Sequence, residues 1–219
     1  VSLRNGKAVA FESSIERDCL IRLDFEGAGR NIRTQPFTLR YEFEGKKYRY
    51  TPDIIVEFQE QECVPVTVIE VKPQKELEAN WSKYQLGFDV MREVCRRNGW
   101  NFQVLTEAHI RTGAYMANAT FLRKYLGLPV DPARALTLLN ALHQHLELTA
   151  NELLAMTFPI EGLRANAMWI LWTLVANKVI GFDMHNPLRM DVTKLSIKDT
   201  TALKRYELAV GSLHDEVTA

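Results

Sequence analysis

Hydrophobic and polar positions change rhythm several times along the chain, and each change predicts a different element. Residues 11–26 carry apolar positions at helical steps and end at Gly27-Ala28-Gly29, which predicts a first helix. From Asn31 to Lys72 the texture becomes an alternation: Phe37, Leu39, Tyr41 and Phe43, then Tyr48 and Tyr50, with Glu44-Gly45 between them. That alternation predicts a β-meander. The runs Ile54–Phe58 and Val64–Val71 are more continuously apolar, as expected of central strands buried on both faces. A helix from about Glu76 to Asn98 follows, presenting Trp81, Tyr84, Phe88, Met91 and Val94/Cys95 at three- and four-residue steps; Gly99 ends it. Phe102–Leu105 predicts a further strand, so the first part of the chain has the element order of an α/β core.

The proline-flanked segment from Gly127 to Pro132 predicts a boundary that divides the chain into residues 1–128 and 129–219. Beyond it the pattern predicts helices near 133–146, 149–156 and 161–177. Strands at 179–184 and 189–197 then join through His185-Asn186-Pro187. Three helices followed by a hairpin predict a winged-helix-like module. The tail places Leu203, Tyr206 and Val210 at helical steps, which suits either a docking helix that orders on a partner or a frayed end.

Composition adds mainly exclusions. The 47% hydrophobic and 25% charged content is that of an ordinary globular protein, and 27 basic residues balance 27 acidic ones. Any nucleic-acid contact must therefore come from local clustering of charge. Cys19, Cys63 and Cys95 lack metal-ligand spacing and are expected to be reduced, packing thiols. The longest apolar run, Ala167–Ala176, is too short to span a bilayer, and no signal-peptide pattern is visible in a chain that starts at Val1. A cytoplasmic location without membrane contact is the expectation.

Candidate chemistry gathers at Asp53 and Ile69-Glu70-Val71-Lys72. Alternate strand residues share a face, so Glu70 and Lys72 project together, and a neighbouring strand opened by Asp53 would bring a second carboxylate to the same spot. Carboxylates crowded beside an apolar core are costly unless a cation lies between them, and oxygen donors suit a hard divalent ion such as Mg²⁺. The competing reading is a same-face Glu–Lys ion pair on a solvated strand, against which the flanking apolar run argues. Glu16 is a third acid, on a helical stripe with Leu20 and Leu23. It also completes a Ser13-x-x-Glu16 capping box, and Glu12 lies one turn earlier as a rival for the position.

An acid on the first helix, an aspartate after a proline and Glu-x-Lys on the next strand together resemble the PD-(D/E)xK nuclease superfamily. More narrowly, Glu12–Asp18, Gln35-Pro36, Arg49–Val56 and Ile69–Pro73 resemble the TnsA family, the endonuclease subunits of heteromeric transposases; the likeness covers most of residues 11–110. It implies a restriction-endonuclease-like α/β core, a mixed central sheet flanked by helices, with a smaller winged-helix-like C-terminal domain. It further implies hydrolysis of the 5′ strands at transposon ends, while a TnsB-type DDE transposase cuts and joins the 3′ ends and a TnsC-type AAA+ regulator is the third partner.

By the same resemblance Glu16, Asp53, Glu70 and Lys72 are the catalytic residues. Asp53, Glu70, the Val71 carbonyl and Glu16 would hold Mg²⁺, with Mn²⁺ able to substitute. Some members of the family carry Gln where this chain has Glu70. Arg30, Arg33, Arg40, Lys46, Lys47 and Arg49, interleaved with tyrosines, form a candidate DNA-tracking surface. Gln35 is a candidate supporting residue, and His109 and Arg111 could reach the DNA. The segment Glu161–Lys178, with Trp169 and Trp172 and few polar side chains, favours protein contact over base reading. Two alternatives share the fold: a stand-alone restriction or junction-resolving nuclease, and a non-catalytic adaptor between transposase and regulator.

Overall fold

Ser13 is extended and its hydroxyl accepts the Glu16 N–H, which starts α1 at Ser14–Glu26, three residues later than the apolar spacing predicts. In the computed structural model, residues 6, 8–27, 31–57 and 64–217 are described, with side chains described as far as residue 210. The sequence expectations on Ala28, Gly29, Arg30, Phe58 and Cys63 lie outside the described residues. Cα packing divides the chain into Val1–Thr112 and Gly113–Ala219.

The first unit is built on a four-stranded mixed sheet in the order β1–β4–β5–β6, from β1 (Asn31–Thr34), β4 (Ile54–Glu57), β5 (Thr67–Val71) and β6 (Asn101–Leu105). β4 is antiparallel to β1 and β5, and β6 is parallel to β5. The parallel pairing requires a crossover, which α2 (Gln74–Ala79) and α3 (Trp81–Asn98) supply. The single helix expected there breaks at Asn80, whose φ of −122° is not helical. Every residue of β5 is buried, as its apolar run predicts. Ile55 and Val68 pack with Met91 and Cys95 of α3 on one face, and α1 packs against β5 with Ile15, Cys19 and Leu20 buried. Each such aliphatic side chain taken out of water contributes about 1.5–3 kcal/mol. A short helix, α4 (Glu107–Ile110), follows β6.

The expected meander does not form. β2 (Leu39–Phe43) and β3 (Lys46–Tyr50) pair only with each other, as a ribbon apart from the central ladder, and β1 turns instead to β4. Between β1 and β2 lie Gln35, at a positive φ of 44°, and Pro36, which has no N–H to continue a ladder. The ribbon seats on α3 at Gly87: a Cβ there would lie 3.4 Å from the Tyr50 ring and 3.6 Å from the Tyr41 hydroxyl, so a larger side chain would lift it.

The second unit holds α5 (Tyr115–Leu122) with a 3₁₀ turn (Arg123–Tyr125), α6 (Pro132–His145), β7 (Leu148–Thr149), α7 (Ala150–Thr157), α8 (Glu161–Ala176), β8 (Ile180–Gly181), β9 (Lys194–Ile197) and α9 (Ala202–Val217). Its three short strands pair antiparallel in the order β7–β9–β8. Asp131 caps α6 with Pro132 in the first turn, and Thr149 with Glu152 closes a capping box on α7. Leu138, Leu139, Leu142, Leu153, Leu171 and Leu195 are fully buried among these elements. The segment 127–132 lies inside this unit by packing. α5 precedes it and is held here, with Phe121 edge-on to Trp172 and the Asn118 amide donating to the carbonyls of Met184 and Asn186. Among the described residues no helix is long and apolar enough to cross a membrane.

Candidate active site

The β4–β5 ladder pairs Ile54 with Ile69 and Ile55 with Val68. Carried one residue further, the same register sets Asp53 opposite Glu70 at the end of the sheet. The Asp53 Oδ2 accepts the Val71 N–H at 2.7 Å, which ties the carboxylate to β5. Glu70 is 3% exposed; its Oε2 accepts the Tyr50 hydroxyl at 2.6 Å and its Oε1 lies 2.7 Å from the Lys72 ammonium. The Lys72 Nζ is also 3.6 Å from Asp53 Oδ2 and donates to the Val71 carbonyl at 3.3 Å. Three oxygens from two strands thus converge on one cationic centre.

Two carboxylates and one ammonium leave this pocket with a formal charge of −1, and burial makes that costly. The Asp53 carboxyl is pushed up to about 6, by burial first and then by the neighbouring Glu70 charge, against the lowering effects of Lys72 and the Val71 N–H. Burial works against the charge on Lys72, but Glu70 and Asp53 override it and hold the ammonium above its ordinary range. The set could hold a hard cation: the ammonium already occupies a point ringed by Glu70 Oε1, Asp53 Oδ2 and the Val71 carbonyl, all oxygen donors. Among the described residues no group of three His, Cys, Asp or Glu side chains could hold a metal ion, so water and the backbone carbonyl would have to complete the coordination.

Glu16 is placed beside this centre with its carboxylate turned to the start of α1. Its Oε1 takes the Ser13 hydroxyl at 2.8 Å and its Oε2 the Glu12 N–H at 2.9 Å, so the capping box is formed. Its charge still contributes to raising Asp53. Glu12 accepts from the Gln35 amide at 2.6 Å, and the Gln35 N–H donates to the Asp53 carbonyl at 2.9 Å. Gln35, in the strained positive-φ region, therefore links the start of α1 to the residue that opens β4.

Of the basic residues read as a DNA surface, Arg33 is committed to Glu57. On the ribbon Arg40 stands opposite Arg49 and Glu42 opposite Lys47, all four exposed, and Lys46 at the turn is exposed as well. A shallow cleft of about 530 Å³ runs beside them, lined also by Tyr41 and Tyr48, whose rings stack at 5.4 Å. Arg111 does not stand free: it bonds Asp18 at 2.7 Å and Ser14, while His109 closes the cap of α4 on Thr106. Tyr50, which the alternating pattern groups with the outer tyrosines, is turned inward onto Glu70. Its strand parity with Tyr48 and its place three residues before Asp53 were the available signals. Tyr84 flanks the same centre from α3, with Lys72 Nζ 5.9 Å from its ring centroid. Cys19 is buried, which pushes its thiol up to about 12, and with the buried Cys95 it packs as an apolar side chain.

No curated protein matches the chain. Residues 30–107, which span the whole sheet and both crossover helices, match the family model described as TnsA-like endonuclease N terminal. The Asp53–Glu70–Lys72 cluster lies within that span, so the part of the first unit that carries it is similar to a TnsA-like endonuclease N-terminal domain.

Proposed function

We propose that the chain is the metal-dependent endonuclease subunit of a cut-and-paste transposase, hydrolysing the 5′ strands at transposon ends. The observation that carries this reading is the convergence of Glu70 Oε1, Asp53 Oδ2 and the Val71 carbonyl on the Lys72 ammonium. In the loaded state Asp53, Glu70 and the Val71 carbonyl hold Mg²⁺, with Mn²⁺ able to substitute and Glu16 contributing through its nearby charge. The ion supplies a water activated for attack and neutralises charge on the scissile phosphate. Lys72, freed from the carboxylates, turns toward the phosphate and stabilises the charge that develops there. Glu16, Asp53, Glu70 and Lys72 thus act as one catalytic set. DNA runs along the exposed ribbon, where Arg40, Lys46, Lys47 and Arg49 take its phosphates.

The helix–strand–helix–helix–strand–strand order of α6, β7, α7, α8, β8 and β9 supports reading the second unit as a winged helix, with residues 182–193 as its wing. Its α8 is poorly equipped to read bases. Arg164 spends its guanidinium on the carbonyls of Phe158 and Pro159, and Asn177 bonds the Gly127 N–H and the Thr173 carbonyl. Exposed near the α7–α8 turn, beside Glu161 and Asn166, are three large apolar side chains: Ile160 at 65%, Leu163 at 44% and Trp169 at 40%. That face suits a protein partner, the DDE transposase or the AAA+ regulator. Leu163→Glu is expected to weaken that association by tenfold or more, an effect of about 1.4 kcal/mol or greater. Calorimetric titration against each partner checks it, and an unchanged Kd for both would remove this face from the interface.

Reconstituted cleavage of transposon ends with both strands labelled tests the main reading. With Mg²⁺ and a DDE partner, Asp53→Ala should lose the 5′ cuts and keep the 3′ cuts. Robust cutting by this chain alone would favour the stand-alone nuclease, and 5′ cutting that survives the substitution would sink the site assignment.

A further inference from the structure

Tyr50 touches the proposed metal site without belonging to its donor set. It ends β3, in the ribbon whose ladder is separate from the central sheet, and it reaches the site from outside both catalytic strands. Its ring stands edge-on to Phe88 at 6.3 Å and rests over Gly87, so α3 fixes where the hydroxyl points. That hydroxyl donates to Glu70 Oε2 at 2.6 Å, while Oε1 is the oxygen turned to the cationic centre.

The two oxygens of Glu70 therefore have unlike partners. An arriving divalent ion must displace the Lys72 ammonium from Oε1, because both are cations and claim the same place. It has no such claim on the tyrosine hydroxyl, which is a neutral donor and can stay. With Oε2 held toward the tyrosine, Glu70 presents Oε1 alone to the cationic centre. Mg²⁺ demands near-ideal octahedral geometry and is served by single carboxylate oxygens, whereas Ca²⁺ readily takes both oxygens of one carboxylate. We propose that Tyr50 is a positioning residue that holds Glu70 in a one-oxygen ligating posture and so favours Mg²⁺ over larger cations. The inference rests on the endonuclease reading of the site.

Tyr50→Phe removes the hydroxyl and keeps the ring that packs on Phe88 and Gly87. Binding is followed on the full chain, without DNA, by the loss of the free Mn²⁺ spin-resonance signal and its recovery on adding Mg²⁺ or Ca²⁺. The variant is expected to bind Mg²⁺ about tenfold more weakly or worse, in the range typical of a lost partner to a metal ligand. Ca²⁺ binding should fall less, so the Mg²⁺/Ca²⁺ preference narrows. Equal affinities in variant and wild type, or a loss by the same factor for both ions, would overturn the proposal. The wild-type protein alone gives a second readout: the carboxylate infrared bands with Mg²⁺ should show the wide splitting of one-oxygen coordination, and a two-oxygen pattern would overturn the proposal equally. Asp53→Ala separates the two levels. Mn²⁺ binding that is absent from the wild type, or indifferent to Asp53→Ala, defeats the endonuclease reading and this inference with it. Asp53-dependent binding that ignores Tyr50→Phe defeats this inference alone.

Discussion

Lys72→Ala is expected to lower single-turnover strand cleavage by about 10³-fold, near 4 kcal/mol of transition-state stabilisation, with DNA binding little changed. Among the described residues the ammonium is the positive charge paired with both Asp53 and Glu70, 2.7 Å from Glu70 and 3.6 Å from Asp53. The Tyr84 ring at 5.9 Å offers a second resting place when an ion takes its position. The geometry also predicts an effect of opposite sign on ion binding. Because Lys72 sits where Glu70 Oε1, Asp53 Oδ2 and the Val71 carbonyl converge, an entering Mg²⁺ must first displace it. The alanine variant should therefore bind Mn²⁺ or Mg²⁺ as tightly as the wild type or more tightly, while cutting far more slowly. A variant that cut within tenfold of the wild type would remove Lys72 from the chemistry. One that lost ion binding and cleavage together would make Lys72 a structural counter-ion instead.

The parts of the site that could be read from the chain are those in which strand periodicity and burial agree. The apolar run through Glu70 marks a strand buried on both faces, and alternation then puts Glu70 and Lys72 on one side. Pro52 opens the neighbouring strand, so only the pairing of β4 with β5 had to be assumed, and that pairing forms. The ribbon shows where this reasoning stops. Alternation in β2 and β3 tells that Leu39, Tyr41, Tyr48 and Tyr50 share a face, but not that the face is turned to α3. The arginines on the other side made the whole segment look solvent-directed. The turn of β1 toward β4 depends on Gln35 taking a positive φ, which local preference does not foretell for glutamine. α5 was not predicted for a different reason: Tyr115, Asn118, Ala119 and Leu122 are buried, while Phe121 is half-exposed, and its apolar residues lie around the helix without a single stripe. Glu16 stands between these cases. The capping box was legible as Ser13-x-x-Glu16 and is formed, and the proximity through which its charge helps raise Asp53 is a product of tertiary packing.

Asp53→Asn should make the ion-free protein more stable at neutral pH, although it disables the proposed site. The Asp53 carboxyl stands at about 6 in the folded chain against an ordinary value of 3.8, so folding raises its proton affinity. A raised value contributes stability that is fully present below pH 3.8 and is lost as pH rises through about 6. At pH 7–8 without an ion, the folded protein thus carries the whole cost of an ionised Asp53 facing Glu70. At about 1.36 kcal/mol per unit that cost approaches 3 kcal/mol. That figure already includes the opposing pull of the Lys72 ammonium and the Val71 N–H; because the amide replaces a protonated carboxyl only imperfectly in a buried site, a net gain of roughly 1–2 kcal/mol is expected. Asparagine keeps an oxygen for the Val71 N–H, so the link between β4 and β5 survives. Urea unfolding in a chelator checks the sign: the variant should exceed the wild type at pH 8, and the gap should close as the pH falls below 4. Adding Mg²⁺ should reverse the order at pH 8, since an ion bound only by the folded wild type adds stability as its concentration rises above Kd. Equal stability at pH 8 in the chelator would mean that the two carboxylates do not strain the empty pocket. Trading stability for a poised cluster of like charges is the pattern expected of a catalytic centre, and a purely structural ion pair would show the opposite sign.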